Sequence, residues 1–206
     1  GCAMAKQTIS TMDEHIEQTW SKGDSDLVIA GDVICVLTGS MRNLLSAERT
    51  ALNFMQHLSG IATATYQFAQ VLNDTDCVVV DTRKTTPGLR ALEKQAVIDG
   101  GGQNHRLDLA SGMLIKENHI EGAGSITDAV AACERHAPAT WIEVECETLE
   151  EVQEAVLVCP DIILLDNMDI PTVIKARALV PESILLEASG NITLDNAKDY
   201  AQTGVN

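Results

Sequence analysis

From Cys77 onward the chain alternates short apolar runs with helical stretches, and this alternation constrains the fold more than any other feature. The runs Cys77–Asp81, Met113–Lys116, Trp141–Cys146, Ile162–Asp166 and Ile184–Ala188 read as buried strands. Helical patterns follow at Leu89–Asp99, Ser125–Arg135, Leu149–Val158, Ile170–Leu179 and Leu194–Gln202. Repeated βα units imply a parallel sheet, since each crossover consumes a helix. Each run ends in polar groups: Asp81 to Lys84, Lys116, Glu145, Asp166, and Ser189 with Gly190 and Asn191. Chemistry in a closed α/β barrel sits at the C-terminal ends of its strands, so this placement favours a barrel over an open sheet. No Gly-x-Gly-x-x-Gly follows a strand, which gives a dinucleotide-binding fold little support.

Alternation within the strands sharpens the expectation. Glu143, Glu145 and Glu147 share one face of their strand, and Ile142, Val144 and Cys146 the other. The apolar face should lie under the helices, with the carboxylates pointing into the barrel. Asp166 has Leu164 as its inward neighbour, and Glu187 shares a face with Ser189. Interior acids need cations or metal, because an unpaired buried charge is costly. Arg83 and Lys116 are the expected partners. The competing reading for Glu143 and Glu187 is an interior ion-pair network without a catalytic role.

The stretch before Cys77 reads as part of a small α+β unit followed by a long helix. A helix is expected over Ala3–Trp20, with short strands at Asp26–Ala30 and Val33–Leu37 around a Gly31-Asp32 turn. Ala47, Thr50, Ala51, Phe54 and Leu58 recur at helical spacing inside Leu44–Gln70, with Ser46 as expected N-cap and Gly60 as a break or kink.

Composition narrows the function. With 206 residues, 45% of them hydrophobic, the chain can bury a core. No apolar run approaches the roughly 18 residues of a membrane span. A net charge of −16 and 3% aromatic residues argue against a nucleic-acid partner, whose phosphates would be repelled. The six cysteines lack zinc spacing and suit reduced packing residues; with no secretory signal in view, a cytoplasmic protein is expected. An acidic chain can still bind anions by gathering its few cations. Arg49, Arg83, Lys84, Arg106 and Lys116, with His105, stand where that could happen.

Three blocks carry these cations: Asp81-Thr82-Arg83-Lys84-Thr85-Thr86-Pro87-Gly88-Leu89-Arg90, Gly100-Gly101-Gly102-Gln103-Asn104-His105-Arg106, and Leu114-Ile115-Lys116-Glu117-Asn118-His119. Together with Leu45–Phe54, Leu58–Thr63, Ile142–Glu145, Leu164–Asn167 and Glu187–Asn191, they resemble the quinolinate phosphoribosyltransferase family. The resemblance implies an incomplete, seven-stranded α/β barrel of parallel strands preceded by part of an α/β sandwich domain. It sets residues 1–70 as the partial sandwich with its connecting helices and 71–206 as the barrel. Family members carry a segment before the position of Gly1 and continue beyond Thr203-Gly204-Val205, so the barrel is expected to be truncated at its C-terminal end.

The activity so implied is transfer of phosphoribosyl from phosphoribosyl pyrophosphate to quinolinate with decarboxylation, giving nicotinate mononucleotide, pyrophosphate and CO2 in NAD biosynthesis. By the match, Arg49, Arg83, His105, Arg106 and Lys116 hold the two quinolinate carboxylates, and Thr82 adds a contact. Lys84 serves quinolinate or pyrophosphate. Lys116, Glu145 and Asp166 are the expected catalytic residues, the last two also as ligands, direct or indirect, of Mg²⁺ with pyrophosphate. Ser189, Gly190 and Asn191 form the expected 5′-phosphate turn. The resemblance further implies a homodimer or dimer-based oligomer, with Arg49 reaching the neighbouring subunit's site. His105 as a structural histidine, a related phosphoribosyltransferase-like protein of different substrate, such as the homologue associated with molybdenum transport, and a non-catalytic anion-binding fragment are the alternatives.

Overall fold

The computed structural model describes residues 1–206, which divide into two compact units. The first comprises Gly1–Gln67 and Val80–Asn104, the second Phe68–Val79 and His105–Asn206.

In the first unit, α1 (Cys2–Met12) precedes an antiparallel pair, β1 (Glu17–Trp20) and β2 (Cys35–Thr38). The long α2 (Met41–Leu72) begins here, and α3 (Arg90–Asp99) completes the unit's helices. Ala5, Ile9, Ile16, Ala47 and Ala51 make a small core between α1, the hairpin and α2. The helix expected over Ala3–Trp20 stops at Met12. Asp13 is extended, and its carboxylate accepts from the backbone N–H of His15 at 2.9 Å and from Asn43 at 2.8 Å. This local capture diverts the chain into β1.

The strand expected at Asp26–Ala30 is absent for a similar reason. Asp26 Oδ2 accepts from Gly23 N–H at 2.7 Å and Asp32 Oδ2 from Ile29 N–H at 3.2 Å, closing turns where a ladder would need extended backbone. Ser46 is not an N-cap: α2 begins five residues earlier in its own numbering, at Met41, and the Ser46 hydroxyl donates back to Arg42 O at 2.8 Å. Gly60 does not break the helix, which continues to Leu72. The expected strand Cys77–Asp81 is reduced to one bridge, Val80 to Gln103, with Asp81 N–H donating to Gln103 O at 3.2 Å.

The second unit is built on a parallel sheet in the order β3-β4-β5-β6: Met113–Ile115, Ile142–Cys146, Ile162–Asp166 and Leu185–Ser189. Between and after these strands lie α4 (Glu117–Ala123), α5 (Ile126–His136), α6 (Leu149–Val158), α7 (Ile170–Leu179) and α8 (Ala197–Ala201). Their starts follow from capping: Ser125 accepts from Asp128 N–H, Thr148 and Glu151 form a reciprocal box, and Asp169 accepts from Thr172 N–H behind a proline in the first turn.

The sheet's two faces differ as alternation requires. Ile115, Ile142, Val144, Cys146, Ile163, Leu165 and Leu186 point into one core with Val130, Val152 and Val173 of the helices. Glu143, Glu145, Asp166 and Glu187 alternate with them along the strands. All six cysteines are free thiols, and burial pushes that of Cys146 up to about 12. No helix is long and apolar enough to cross a membrane.

Candidate active site

Three of the predicted residues meet at the ends of the second unit's strands. Lys116 follows β3, and its ammonium forms an ion pair with Glu145 at the end of β4. The Glu145 side chain is 11% exposed, so the ammonium offsets part of the cost of holding its charge there. Asp166 ends β5, where its Oδ2 accepts from the Asn167 amide at 2.7 Å. Lys116 also caps α4, its backbone N–H donating to Nδ1 of His119 at 3.0 Å. The Lys-Glu-Asn-His block is therefore a strand end and a helix start at once.

Ser189, Gly190 and Asn191 lie beside Asp166. Ser189 is paired with Asp166 in the sheet, and its carbonyl accepts from Asn167 N–H at 2.9 Å. The Asn191 amide donates to Asn167 Oδ1 at 3.2 Å. Gly190 has φ +92, and a Cβ there would lie 2.1 Å from Asn167 Oδ1. The turn thus requires glycine both for its backbone and for the approach of Asn167.

His105 and Arg106 enter the same unit. His105 Nε2 lies 2.8 Å from Oε2 of the fully buried Glu143 and 3.7 Å from Glu187. The hydrogen bond to Glu143 raises the His105 pKa above its ordinary value; burial opposes it, the negative charges of Glu143 and Glu187 reinforce it, and Arg106 opposes it weakly. Burial, then the Glu143 charge, pushes Glu187 up to about 7 against the pull of His105. The ring of Trp141 meets His105 edge-on, centroids 5.2 Å apart. The backbone at Gly112 packs against the same Trp141, leaving no room for a Cβ, and Arg106 Nη1 donates to Gly112 O at 3.1 Å. Arg83 was expected to neutralise the interior acids. In this unit His105 serves Glu143 and Lys116 serves Glu145.

The remaining predicted residues belong to the first unit. Arg49 is exposed on α2. Thr82, Arg83 and Lys84 form one turn, in which the Thr82 hydroxyl accepts from Lys84 N–H at 3.0 Å. The Nε of Arg83 is buried without a hydrogen-bond partner, a donor that an anion could satisfy. The turn is braced from α3. Lys94, only 3% exposed, pairs with Asp81, and Glu93 accepts from Thr86 N–H at 3.1 Å and lies 2.8 Å from His57 Nε2. Sequence reasoning assigned no role to Glu93, Lys94, Trp141 or Asn167. Asn167 closes one of the matching blocks and Lys94 follows another by four residues, but neither position by itself signals a bracing role.

Carboxylate oxygens at adjacent strand ends suit Mg²⁺, a hard cation that takes oxygen ligands. Lys116 and Asn167 each hold one oxygen of Glu145 and Asp166, respectively. The donor set is therefore compatible with a cation shared with substrate phosphates.

The comparisons with known proteins agree with this geometry. Residues 1–59 match the family model of the quinolinate phosphoribosyl transferase N-terminal domain, and residues 61–206 that of the C-terminal domain. Over 210 residues the chain is 45% identical to the probable nicotinate-nucleotide pyrophosphorylase [carboxylating] of Bacillus subtilis (strain 168), covering 100% of this chain and 72% of that protein. Among solved structures, NadC from Streptococcus pyogenes aligns with a TM-score of 0.95 at 38% identity, over 100% of this chain and 73% of that one. The nicotinate-nucleotide pyrophosphorylase from Ehrlichia chaffeensis aligns at 0.96 and 37% identity, over 100% and 75%. With both family models matched end to end along a chain whose strand ends carry Lys116, Glu145, Asp166 and the Ser189–Asn191 turn, the protein belongs to the quinolinate phosphoribosyl transferase family.

Proposed function

We infer that this chain transfers phosphoribosyl from phosphoribosyl pyrophosphate to quinolinate with decarboxylation, forming nicotinate mononucleotide, pyrophosphate and CO2. The observation that carries the reading is the Lys116–Glu145 pair beside Asp166, at the strand ends of a chain 45% identical to a nicotinate-nucleotide pyrophosphorylase.

The chemistry asks for positioning and neutralisation more than for a nucleophile. The pyridine nitrogen of quinolinate attacks the anomeric carbon, the bond to pyrophosphate breaks, and the nitrogen becomes a pyridinium. That ring then accepts the electron pair released when the adjacent carboxylate leaves as CO2, and a proton takes its place. Quinolinate brings two neighbouring carboxylates, which need cationic partners. His105, Arg106 and Lys116 serve that need. Arg83 with its orphaned Nε, Lys84 and Thr82 serve anionic substrate groups. Glu145 and Asp166 stabilise the cationic sugar of the transition state by their charge. Mg²⁺ bound with their help would neutralise the departing pyrophosphate. The backbone turn Ser189–Asn191 receives the 5′-phosphate.

The working form is a homodimer or a dimer-based oligomer. Met41, Leu45 and Arg49 recur every four residues along α2, and Met41 and Leu45 are 70% and 62% exposed. Such an apolar strip leading to a cation suits a face covered by a second copy, with Arg49 delivered to the neighbour's site.

The test is product formation with alternative acceptors. Nicotinate mononucleotide should accumulate from quinolinate with phosphoribosyl pyrophosphate and Mg²⁺, and not from nicotinate. Equal use of nicotinate, or no product from quinolinate, would overturn the reading.

A further inference from the structure

We propose that Glu143 is the positioning residue for His105: its buried carboxylate on β4 holds the imidazole Nε2 and fixes the ring's orientation at the substrate. The proposal rests on the reading in which His105 binds a quinolinate carboxylate.

Glu143 is 0% exposed, and neither of its oxygens meets a well-aligned hydrogen-bond donor. A carboxylate in such a place is costly unless a cation faces it. The cation within reach is His105, at 2.8 Å. Glu187 on β6 approaches the same Nε2 at 3.7 Å, and Trp141 closes the side of the ring edge-on. The ring is thus gripped by groups from β4, β6 and the residue preceding β4. Unlike Glu143, His105 retains 12% side-chain exposure, so the imidazole stands between a closed acid and an opening. A carboxylate behind an imidazole is a standard device for fixing its tautomer and direction. The Glu143 carboxylate also favours the protonated ring, which suits an anionic substrate.

A merely structural pair would contribute to stability alone, whereas a positioning pair sets substrate affinity through His105. The experiment compares full-length Glu143→Gln, His105→Ala and the double variant. Glu143→Gln should raise KM for quinolinate about tenfold, the scale of one charge-assisted hydrogen bond, with KM for phosphoribosyl pyrophosphate unchanged. In the His105→Ala background it should add nothing to KM for quinolinate. An unchanged KM for quinolinate in Glu143→Gln, or an undiminished effect in the double variant, would overturn the proposal. If Glu143→Gln does not fold, Glu187→Gln reads the same parameter: a smaller rise in KM for quinolinate, lost without His105, supports the proposal, and no rise overturns it. A substrate-free readout separates this proposal from the function it rests on. Histidine ring NMR of the unliganded protein should show a protected Nε2–H signal from His105 that Glu143→Gln abolishes. If that holds while quinolinate is not turned over, the function fails and the anchoring stands; a signal unaffected by Glu143→Gln overturns the anchoring.

Discussion

Lys116 and Glu145 neutralise each other at a strand end, so removing either leaves a charge in a confined place. Lys116→Ala is expected to lower kcat/KM for quinolinate by about 10²-fold, the loss of a charge-assisted contact to a carboxylate, while the fold survives because Lys116 is 40% exposed. Steady-state kinetics with a circular-dichroism control checks this, and near-wild-type kcat/KM would remove Lys116 from the site. Glu145→Ala and Asp166→Ala should instead depress kcat by about 10²–10³-fold, because the proposed mechanism uses their charge where cationic character develops.

Glu187 makes a pH prediction. Its pKa is raised from 4.5 to about 7, so the folded state keeps a proton that the unfolded chain has released. The resulting penalty grows as pH rises from about 4.5 to 7 and is full above that. His105 acts in the same direction: its raised pKa gives stability that is complete below 6.5 and lost as pH passes its folded value. Glu187→Gln should melt with the wild type at pH 4.5 and above it at pH 8, by about 2–4 °C for each kcal/mol of penalty removed. Parallel melting curves across that range would show that Glu187 titrates normally.

At the scale of elements, the interlock of β5 and β6 through Asn167 depends on Gly190. Gly190→Ala places a methyl against Asn167 in a backbone region that L-residues disfavour. It should cost about 1–3 kcal/mol of stability and weaken substrate phosphate binding, read by thermal melts and by KM for phosphoribosyl pyrophosphate. An unperturbed variant would mean that the turn can open without consequence.

Elements were legible where one strong local signal stood alone. β5, α6 and α7 fall where the apolar runs and helical patterns place them, and the structure adds the caps Thr148 and Asp169. They were not legible where side chains competed with the ladder. Asp13, Asp26 and Asp32 each bind nearby backbone N–H groups, ending a helix early and cancelling a strand. Cys77–Asp81 has strand-like residues but too little paired backbone to make one. Within the candidate site, Lys116, Glu145 and Asp166 stand out in the sequence because each interrupts or ends an apolar run. Their surroundings were not. The pairing of His105 with Glu143, of Lys94 with Asp81, and the bracing by Asn167 join residues distant in sequence, and only the fold selects them.

For the whole molecule, a net charge of −16 makes each gathered cation count toward anion binding. If Arg49 completes a neighbour's site, Arg49→Ala and Lys116→Ala subunits should complement each other when mixed. A mixed dimer would hold one site with both lesions and one with neither, so random exchange should restore about one quarter of wild-type activity. Absence of recovery, with exchange confirmed, would assign Arg49 to its own chain's site or to none. The most direct test of the central claim is the stoichiometry of the reaction. With quinolinate labelled in the carboxyl group next to the nitrogen, labelled CO2, pyrophosphate and nicotinate mononucleotide should appear in equal amounts, all dependent on quinolinate. Pyrophosphate release that is independent of quinolinate, or a mononucleotide that retains the label, would contradict it.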